Sequence, residues 1–219
     1  MSIVSKFFPM KSSFGSCGRN SKIQWPAYVA VPSNVHLEEN VIVRGNVSIQ
    51  NHINEHLYIK RYTVISRDVT IVTNNHKSTV GIPQCLLGAS HINDTSRDIT
   101  IEEDVWVGTK AIVLAGGNLG RGCIVGACSV VTKPVPPYAL VIGSPAKIVG
   151  VKFTIDQIIE HEKALYPENE RFSREYLEEL FAKYYDGKKV FGVQTELTSE
   201  DLAALERAKK VRRYIEPKL

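Results

Sequence analysis

The chain has 219 residues and a mass of 24.4 kDa, enough for one substantial domain with an appendage. Hydrophobic residues make up 43% and charged residues 23%, which is ordinary globular usage and excludes a disordered or collagen-like chain. The formal charge of +4, from 27 basic and 23 acidic residues, is too small to indicate nucleic-acid binding. It suits an anionic cofactor or simple solubility.

The cysteines and the amino-terminal segment predict the compartment. Cys17, Cys85, Cys123 and Cys128 form no Cys-x-x-Cys pair, so we expect free thiols and not a disulfide framework or a zinc knuckle. The short apolar stretch near the amino terminus contains a lysine, and no uninterrupted apolar run approaches the roughly 18 residues of a membrane span. We therefore expect a cytoplasmic protein with no secretory leader and no membrane association.

Aliphatic residues recur with a period of six in two runs along the middle of the chain. The first run is Val35, Val41, Val47, Ile53, Ile59, Ile65 and Ile71, and the second is Ile101, Val107, Val113, Leu119, Val125 and Val131. A period of six fits neither a helix nor an isolated strand. It predicts a mainly β, triangular solenoid in which three six-residue units form a coil of about 18 residues and the coils stack by parallel strand pairing.

A second inward position is expected two residues before each repeated aliphatic. In the second run most of these residues are small, as at Ala111, Gly117 and Cys123. Cys123 and Cys128 are therefore predicted to be packing or corner residues without a redox role. In the first run Glu55, Arg61 and Arg67 occupy one of the two sets of positions that could face inward. Which residues of this run face inward therefore stays open.

Residues 72–100, between the two runs, are rich in Asn, Ser and Thr and predict a long loop projecting from the solenoid. Loops of this length inside a compact repeat are usually functional. We assign residues 1–34 to a lead-in, 35–150 to the solenoid with this loop, and 151–219 to a helical extension. Thr154, Ser173 and either Thr198 or Ser199 are candidate N-caps for three helices of that extension.

Three stretches of the second half of the solenoid resemble the hexapeptide-repeat acyltransferases. They are DVWVG at Asp104–Gly108, IVGACSVVTK at Ile124–Lys133 and GSPAKIV at Gly143–Val149. The sequence looks most similar to the galactoside and maltose O-acetyltransferases and the xenobiotic acetyltransferases of that family, over residues 35–150. The resemblance implies a left-handed parallel β-helix, a homotrimer, and acetyl-CoA bound in the groove between neighbouring subunits. It also implies that the projecting loop reaches over the adjacent subunit.

The resemblance further implies a catalytic base at the start of the loop. His76, in the stretch TNNHKS, matches the family's catalytic histidine, and Asn75 before it matches the xenobiotic acetyltransferases. Neutral imidazole suits this role because it can accept the proton of a hydroxyl as the oxygen attacks a thioester. Asn46, Asn75 and Trp106 match the acceptor site, and Trp106 is expected to pack beside His76.

For the cofactor, family correspondence implies contacts from Thr109, Ala127, Thr132 and Lys133. A backbone N–H near Thr109 is expected to stabilise the developing oxyanion. The sequence departs from the family at two positions: Pro134 stands where an acidic residue is common, and Gly150 stands where a relative has a basic residue. Lys147 or Lys152 is the expected substitute at the nucleotide end.

Other histidines offer alternative assignments. His91, deeper in the same loop, is the second candidate base. His52 and His56 are four residues apart and are candidate metal ligands, because related solenoids include zinc carbonic anhydrases. The zinc carbonic anhydrases share a histidine pair with a wider spacing and a third histidine, and this sequence does not show that pattern. We therefore expect no metal.

Together these residues predict an acetyl-CoA-dependent O-acetyltransferase that acts on a hydroxyl of a saccharide or of a hydroxylated xenobiotic. Transfer is expected to be direct, in a ternary complex, because no Cys or Ser matches a nucleophile position. Two alternatives stay open, namely an N-acetyltransferase of an amino sugar and a non-catalytic trimeric scaffold. Neither a nucleic acid nor a membrane is an expected partner.

Overall fold

The structure, a computed structural model, describes residues 9–219. Within that range the strands are β1 Ser16–Cys17, β2 Lys22–Ile23, β3 Ala27–Val29, β4 Val35–Leu37, β5 Ile42–Val43, β6 Val47–Gln50, β7 Leu57–Ile59, β8 Val64–Ile65, β9 Thr70–Val72, β10 Ile99–Ile101, β11 Trp106–Val107, β12 Ile112–Val113, β13 Ile124–Val125, β14 Val130–Val131, β15 Ala139–Ile142, β16 Lys147–Val151 and β17 Lys189–Val190. The α-helices are α1 Gln84–Ser90, α2 Ile155–Leu165, α3 Arg174–Tyr184 and α4 Ser199–Arg212.

Successive strands join three different sheets in turn, as the six-residue period predicts. The sheet orders are β1-β4-β7-β10, then β17-β16-β15-β13-β11-β8-β5-β2, then β14-β12-β9-β6-β3. We call them the four-stranded, eight-stranded and five-stranded sheets. Pairing is parallel except between β15 and β16, which form an antiparallel pair at the end of the solenoid. The chain is therefore a β-solenoid whose sheets bury aliphatic residues at two inward positions, as at Val35 and Leu37 of β4.

The length of a coil changes along the solenoid. Lys22 pairs with Ile42, Ile42 with Val64, and Trp106 with Ile124, so these coils advance by 20, 22 and 18 residues. The predicted coil of about 18 residues is therefore right for the second run and wrong for the first. Within residues 9–219 the parallel strands begin at Ser16, so a first coil lies before the predicted boundary at residue 35.

The longer coil explains why the register of the first run stayed open in the sequence. Ile53 lies in the additional residues between β6 and β7 and is 68% exposed, so it is not an inward residue. After this insertion Val35 pairs with Leu57 and Leu37 with Ile59. The aliphatics of the run before Ile53 therefore occupy one inward position of their strands, and those after Ile53 occupy the other. The six-residue period persists in the sequence because these two inward positions are two residues apart.

The second inward phase contains no charged residue of the first run. Thr63 and Val69 fill it and are fully buried, whereas Arg61 and Arg67 lie outside it. In the second run Cys123 is buried and Cys128 is an exposed corner residue with φ of 59°. All four cysteines are free thiols, as predicted. The loop predicted between the runs joins β9 to β10 and carries α1, which buries Leu87.

The helical extension packs against the later coils. Thr154, Ser173 and Thr198 cap α2, α3 and α4, and Thr154 and Thr198 form full capping boxes. Apolar residues of α2 and α3 join the same buried cluster as the inward aliphatics, among them Ile158 and Leu177. β17 adds a strand beside β16. The sequence predicted these helices without showing where they pack.

One buried carboxylate connects α2 to the solenoid. Glu162 is 1% exposed and accepts hydrogen bonds from Tyr138 Oη at 3.0 Å, Arg121 Nη1 at 3.3 Å and the Phe172 N–H at 2.6 Å. Arg121 also lies over the ring of Tyr166, 4.3 Å from its centroid. Arg121 keeps a second carboxylate partner, Glu103, at 3.2 Å, but loss of Glu162 would leave the Tyr138 hydroxyl and the Phe172 N–H without their acceptor, which is costly in a buried network.

The segment after α4 returns to the early coils. Asn40, in the turn before β5, exchanges hydrogen bonds of 2.9 and 3.1 Å with the backbone of Ile215. The ring of Tyr214 lies 6.0 Å from that of Tyr62, in the next coil. None of the helices within residues 9–219 has the length and apolar character that crossing a membrane requires.

Candidate active site

The projecting loop is closed at its base by backbone hydrogen bonds. Asn75 and Thr95 exchange N–H···O bonds of 3.1 and 2.8 Å, and the Arg97 N–H donates to the Thr73 carbonyl at 3.0 Å. These bonds bring the two ends of the loop side by side directly after β9. His76 and Asp94 each lie one residue further into the loop, so the closed base holds them opposite one another.

Asp94 lies between two histidines. Its Oδ1 accepts from Nδ1 of His76 at 2.7 Å, and its Oδ2 accepts from Nδ1 of His91 at 2.8 Å. Asn74 donates a third hydrogen bond to Oδ2, at 3.2 Å. His76 is therefore the sole donor to Oδ1 among these three side chains, whereas His91 and Asn74 share Oδ2.

These contacts keep Asp94 ionised. The hydrogen bond from His76 is the largest cause that lowers the pKa of Asp94 to about 2, and those from His91 and Asn74 act in the same direction against partial desolvation. Facing a carboxylate, His76 carries its proton on Nδ1 and leaves a lone pair on Nε2. The His76 side chain is 36% exposed, and Gly88 lines the Nε2 side of the ring. Nε2 can therefore act as a base toward a molecule bound at the loop.

Asp94 is a candidate functional residue that sequence reasoning missed. The segment 72–100 contains two carboxylates, Asp94 and Asp98, and either one matches the requirement for an acid near His76. The structure separates them, because Asp98 instead accepts the backbone N–H of His56 at 2.8 Å. The position of Asp94 depends on the closed base of the loop, which no local sequence pattern reveals.

Trp106 lies on a different face of the solenoid from His76. It belongs to β11 in the eight-stranded sheet, is 55% exposed, and donates from Nε1 to Ser66 Oγ at 3.1 Å. His76 follows β9 of the five-stranded sheet, and its ring packs against His91, with centroids 5.7 Å apart. One chain therefore does not bring Trp106 beside His76.

Thr109 and Ala127 meet at the corner that follows the eight-stranded sheet. The Cys128 N–H donates to the Thr109 carbonyl at 2.9 Å, which stacks the two corners. Gly108 allows this approach, since a Cβ there would lie 2.6 Å from the Ala127 nitrogen. The Thr109 N–H has no acceptor within residues 9–219. This exposed corner thus presents a donor beside a small residue.

Thr132 and Lys133 lie at the corner that His76 also follows. They come after β14, which is separated from β9 by β12 alone, and both are exposed. Two strand spacings of about 4.8 Å give roughly 10 Å between these levels. Asn46 is exposed at a turn before β6, with φ of 61°, and Asn75 belongs to the closed base of the loop. The predicted cofactor residues therefore divide between two corners.

A contact with the extension explains the departure at Gly150, at the expected nucleotide end. A Cβ on Gly150 would overlap the ring of Phe191, the residue that follows β17, so this segment packs where a larger side chain would stand. Lys152 donates to Asp104 Oδ2 at 2.6 Å, and Asp104 also pairs with His161 at 3.0 Å. Burial raises the pKa of Asp104, but these two partners outweigh it and the pKa falls below its usual value. Lys147 is the exposed lysine of the two expected substitutes.

His52 and His56 do not form a pair. The ring of His52 lies 4.8 Å from that of His91, at the edge of the loop cluster. His56 instead contacts His36, with Nδ1 and Nε2 2.9 Å apart. The grouping in residues 9–219 that could hold a metal ion is His76, His91 and Asp94, whose ligand atoms all lie within 4.8 Å of one another.

Comparison with known proteins gives segmental matches. No known family profile matches the chain. Chloramphenicol acetyltransferase of Klebsiella aerogenes is 47% identical over 58 residues, which are 26% of this chain and 28% of that protein. Galactoside O-acetyltransferase of Escherichia coli K12 is 29% identical over 141 residues, 64% of this chain and 65% of that protein. The chain thus matches less than a third of the length of the first relative.

A solved structure extends the similarity to the fold. A hexapeptide-repeat acetyltransferase from Vibrio cholerae O1 biovar eltor, complexed with acetyl coenzyme A, superposes with a TM-score of 0.58 at 24% sequence identity. The superposition covers 69% of this chain and 78% of that one. This chain therefore has the left-handed β-helix fold of the hexapeptide-repeat acetyltransferases, and the comparisons confirm its resemblance to the galactoside and xenobiotic members of that family.

Proposed function

We propose that the protein is an acetyl-CoA-dependent O-acetyltransferase of a saccharide or of a hydroxylated small molecule, with His76 as general base. The observation that carries the proposal is the pair of His76 and Asp94, in which a carboxylate 2.7 Å from Nδ1 leaves Nε2 free to accept a proton. The relatives named for chloramphenicol and galactoside acetylation support the acceptor class. The acetyl-CoA complex of the Vibrio cholerae structure supports the donor.

In the proposed reaction Nε2 of His76 takes the proton of the acceptor hydroxyl as its oxygen forms a bond to the thioester carbonyl carbon. Asp94 stabilises the imidazolium that results and does not itself take the proton. The tetrahedral intermediate then expels the CoA thiolate, which receives the proton back from His76. Base catalysis of this kind contributes about 10²- to 10⁴-fold.

The division of the cofactor residues favours a site between subunits. Thr109 and Ala127 occupy one corner with Trp106 on the adjoining face, whereas His76, Thr132 and Lys133 belong to another corner. We propose a homotrimer in which the two walls of each acetyl-CoA groove come from two neighbouring subunits. The unpaired Thr109 N–H of one subunit then serves as the oxyanion donor opposite His76 of its neighbour.

Release of free thiol from acetyl-CoA, measured over a panel of alcohol and amine acceptors, tests the proposal. His76→Ala is expected to lower kcat by about 10²- to 10⁴-fold. His56→Ala is the matched control, since its ring contacts His36 and not the loop, and it is expected to retain the wild-type rate. Activity that survives in His76→Ala refutes the assignment of the base.

Two other results of the same screen contradict the proposal. Preference for amines indicates an N-acetyltransferase, and no thiol release with any acceptor favours the non-catalytic scaffold. Light scattering on the intact protein tests the assembly, with an expected mass three times the 24.4 kDa of one chain. A monomer of full activity contradicts the shared groove.

A further inference from the structure

Two of the six histidines of the chain contact one carboxylate in the loop, and a third packs against them. His76 and His91 each direct Nδ1 at Asp94, and the ring of His52 packs against His91. We propose that His76, His91 and Asp94 form a binding site for a divalent transition-metal ion such as Zn²⁺, and that the bound ion switches off the base. The binding site stands on geometry alone, and its inhibitory effect rests on the proposed function.

The ligand atoms have the spacing that such an ion needs. Zinc bonds of 2.0–2.2 Å in tetrahedral arrangement place neighbouring ligand atoms about 3.4 Å apart. The two Nδ1 to carboxylate separations here are 2.7 and 2.8 Å, and the largest separation in the group is at most 4.8 Å. These values bracket the required spacing, so small rotations of the side chains convert the hydrogen-bonded cluster into a coordination site.

The chemistry of the donors selects the class of ion. Two imidazole nitrogens and one carboxylate oxygen suit Zn²⁺, Cu²⁺ or Ni²⁺, whereas Mg²⁺ and Ca²⁺ prefer oxygen ligands. The carboxylate supplies one negative charge, and both histidines are partly exposed, so an ion can reach the site from solvent. Three protein ligands leave a fourth position for water.

Coordination at Nδ1 inverts the tautomer on which the proposed catalysis depends. In the metal-free cluster the proton of His76 lies on Nδ1, and Nε2 has the lone pair. A metal that bonds to Nδ1 uses the lone pair there, so the proton moves through solvent to Nε2 and the ring stays neutral. Nε2 then becomes a donor and cannot accept the proton of a hydroxyl. The ion therefore inhibits by changing the tautomer of His76.

Metal binding is tested first without reference to activity. Zn²⁺ is titrated calorimetrically into tag-free protein, and Co²⁺ is added separately to record the visible absorption of a tetrahedral site. One site per chain is expected, and His91→Ala is expected to weaken binding at least tenfold. His56→Ala removes a histidine from the separate pair with His36 and is expected to bind as the wild type does. Equal binding by wild type and His91→Ala overturns the site, as does loss in His56→Ala alone.

Inhibition is tested second, with each variant compared with its own metal-free rate. Zn²⁺ is expected to abolish thiol release by the wild type, with Mg²⁺ as the inert control, and the inhibition is expected to weaken in His91→Ala by the same factor as binding. If His91→Ala weakens Zn²⁺ binding but Zn²⁺ does not inhibit the wild type, the tautomer switch is overturned. A protein that binds Zn²⁺ at this site but never releases thiol refutes the proposed function and leaves the metal site established.

Discussion

Replacing Asp94 by asparagine should inactivate the base by reversing the tautomer of His76. The two carboxylate oxygens of Asp94 accept different numbers of hydrogen bonds, since Oδ1 accepts from His76 and Oδ2 accepts from both His91 and Asn74. An amide has a single oxygen, and it satisfies more donors at the Oδ2 position. Its NH₂ group then faces Nδ1 of His76 and forces that nitrogen to accept, which moves the proton of the ring to Nε2.

The size of the loss follows from this arrangement. With the amide oriented against His76, Asp94→Asn should lose nearly the whole contribution of the base, about 10²- to 10⁴-fold in kcat. In the proposed reaction Asp94 acts through His76 and does not touch the substrate, so KM should change little. The pKa of Asp94 is about 2, so the wild-type carboxylate stays ionised at neutral pH and its protonation does not shape the rate there.

The assay is steady-state thiol release by Asp94→Asn, His76→Ala and the double variant, with ¹⁵N NMR of the imidazole to report the tautomer. Because Asp94 acts through His76, the double variant should be no slower than His76→Ala. Asp98→Asn is the matched control, since Asp98 bonds to the backbone of His56, and its rate should equal that of the wild type. An additive double variant, or an Asp94→Asn protein whose proton stays on Nδ1, refutes the reasoning.

Two further predictions concern stability, each measured by denaturant unfolding. Ile65→Ala should lower the free energy of unfolding by about 2–5 kcal/mol because its side chain is fully buried, whereas Ile53→Ala should change it by less than about 0.5 kcal/mol because Ile53 is 68% exposed; equal losses would show that both residues are inward. Glu162→Ala should cost about 2–6 kcal/mol, since the Tyr138 hydroxyl and the Phe172 N–H lose their buried acceptor, and a neutral result would mean that this network does not hold α2 on the solenoid.

The solenoid was predictable because its geometry restricts every sixth residue. Inward residues such as Val107 and Val113 must be aliphatic, and the corner at Gly108 leaves no room for a side chain. The register of the first run was not predictable, because the insertion at Ile53 leaves no gap in the six-residue period. An aliphatic still stands at each sixth position, although the inward position that it occupies changes after the insertion.

The candidate site was predictable only in part. His76 could be placed from the resemblance, but Asp94 is 18 residues away, and the Asn75–Thr95 hydrogen bonds that bring it near are backbone contacts without a side-chain signature. Packing of the extension was equally hidden, since an amphipathic helix such as α2 shows which face is buried and not what covers it.

The return of the carboxyl-terminal segment to Asn40 changes how the solenoid can come apart. In a stack of coils each coil contacts only its neighbours, so such a stack can fray from either end. Here the Ile215 backbone holds the turn at Asn40, Tyr214 contacts Tyr62 one coil later, and Lys152 and His161 hold Asp104 in the coil after that. The extension acts as a strap along three successive coils, so these coils open together as one cooperative unit.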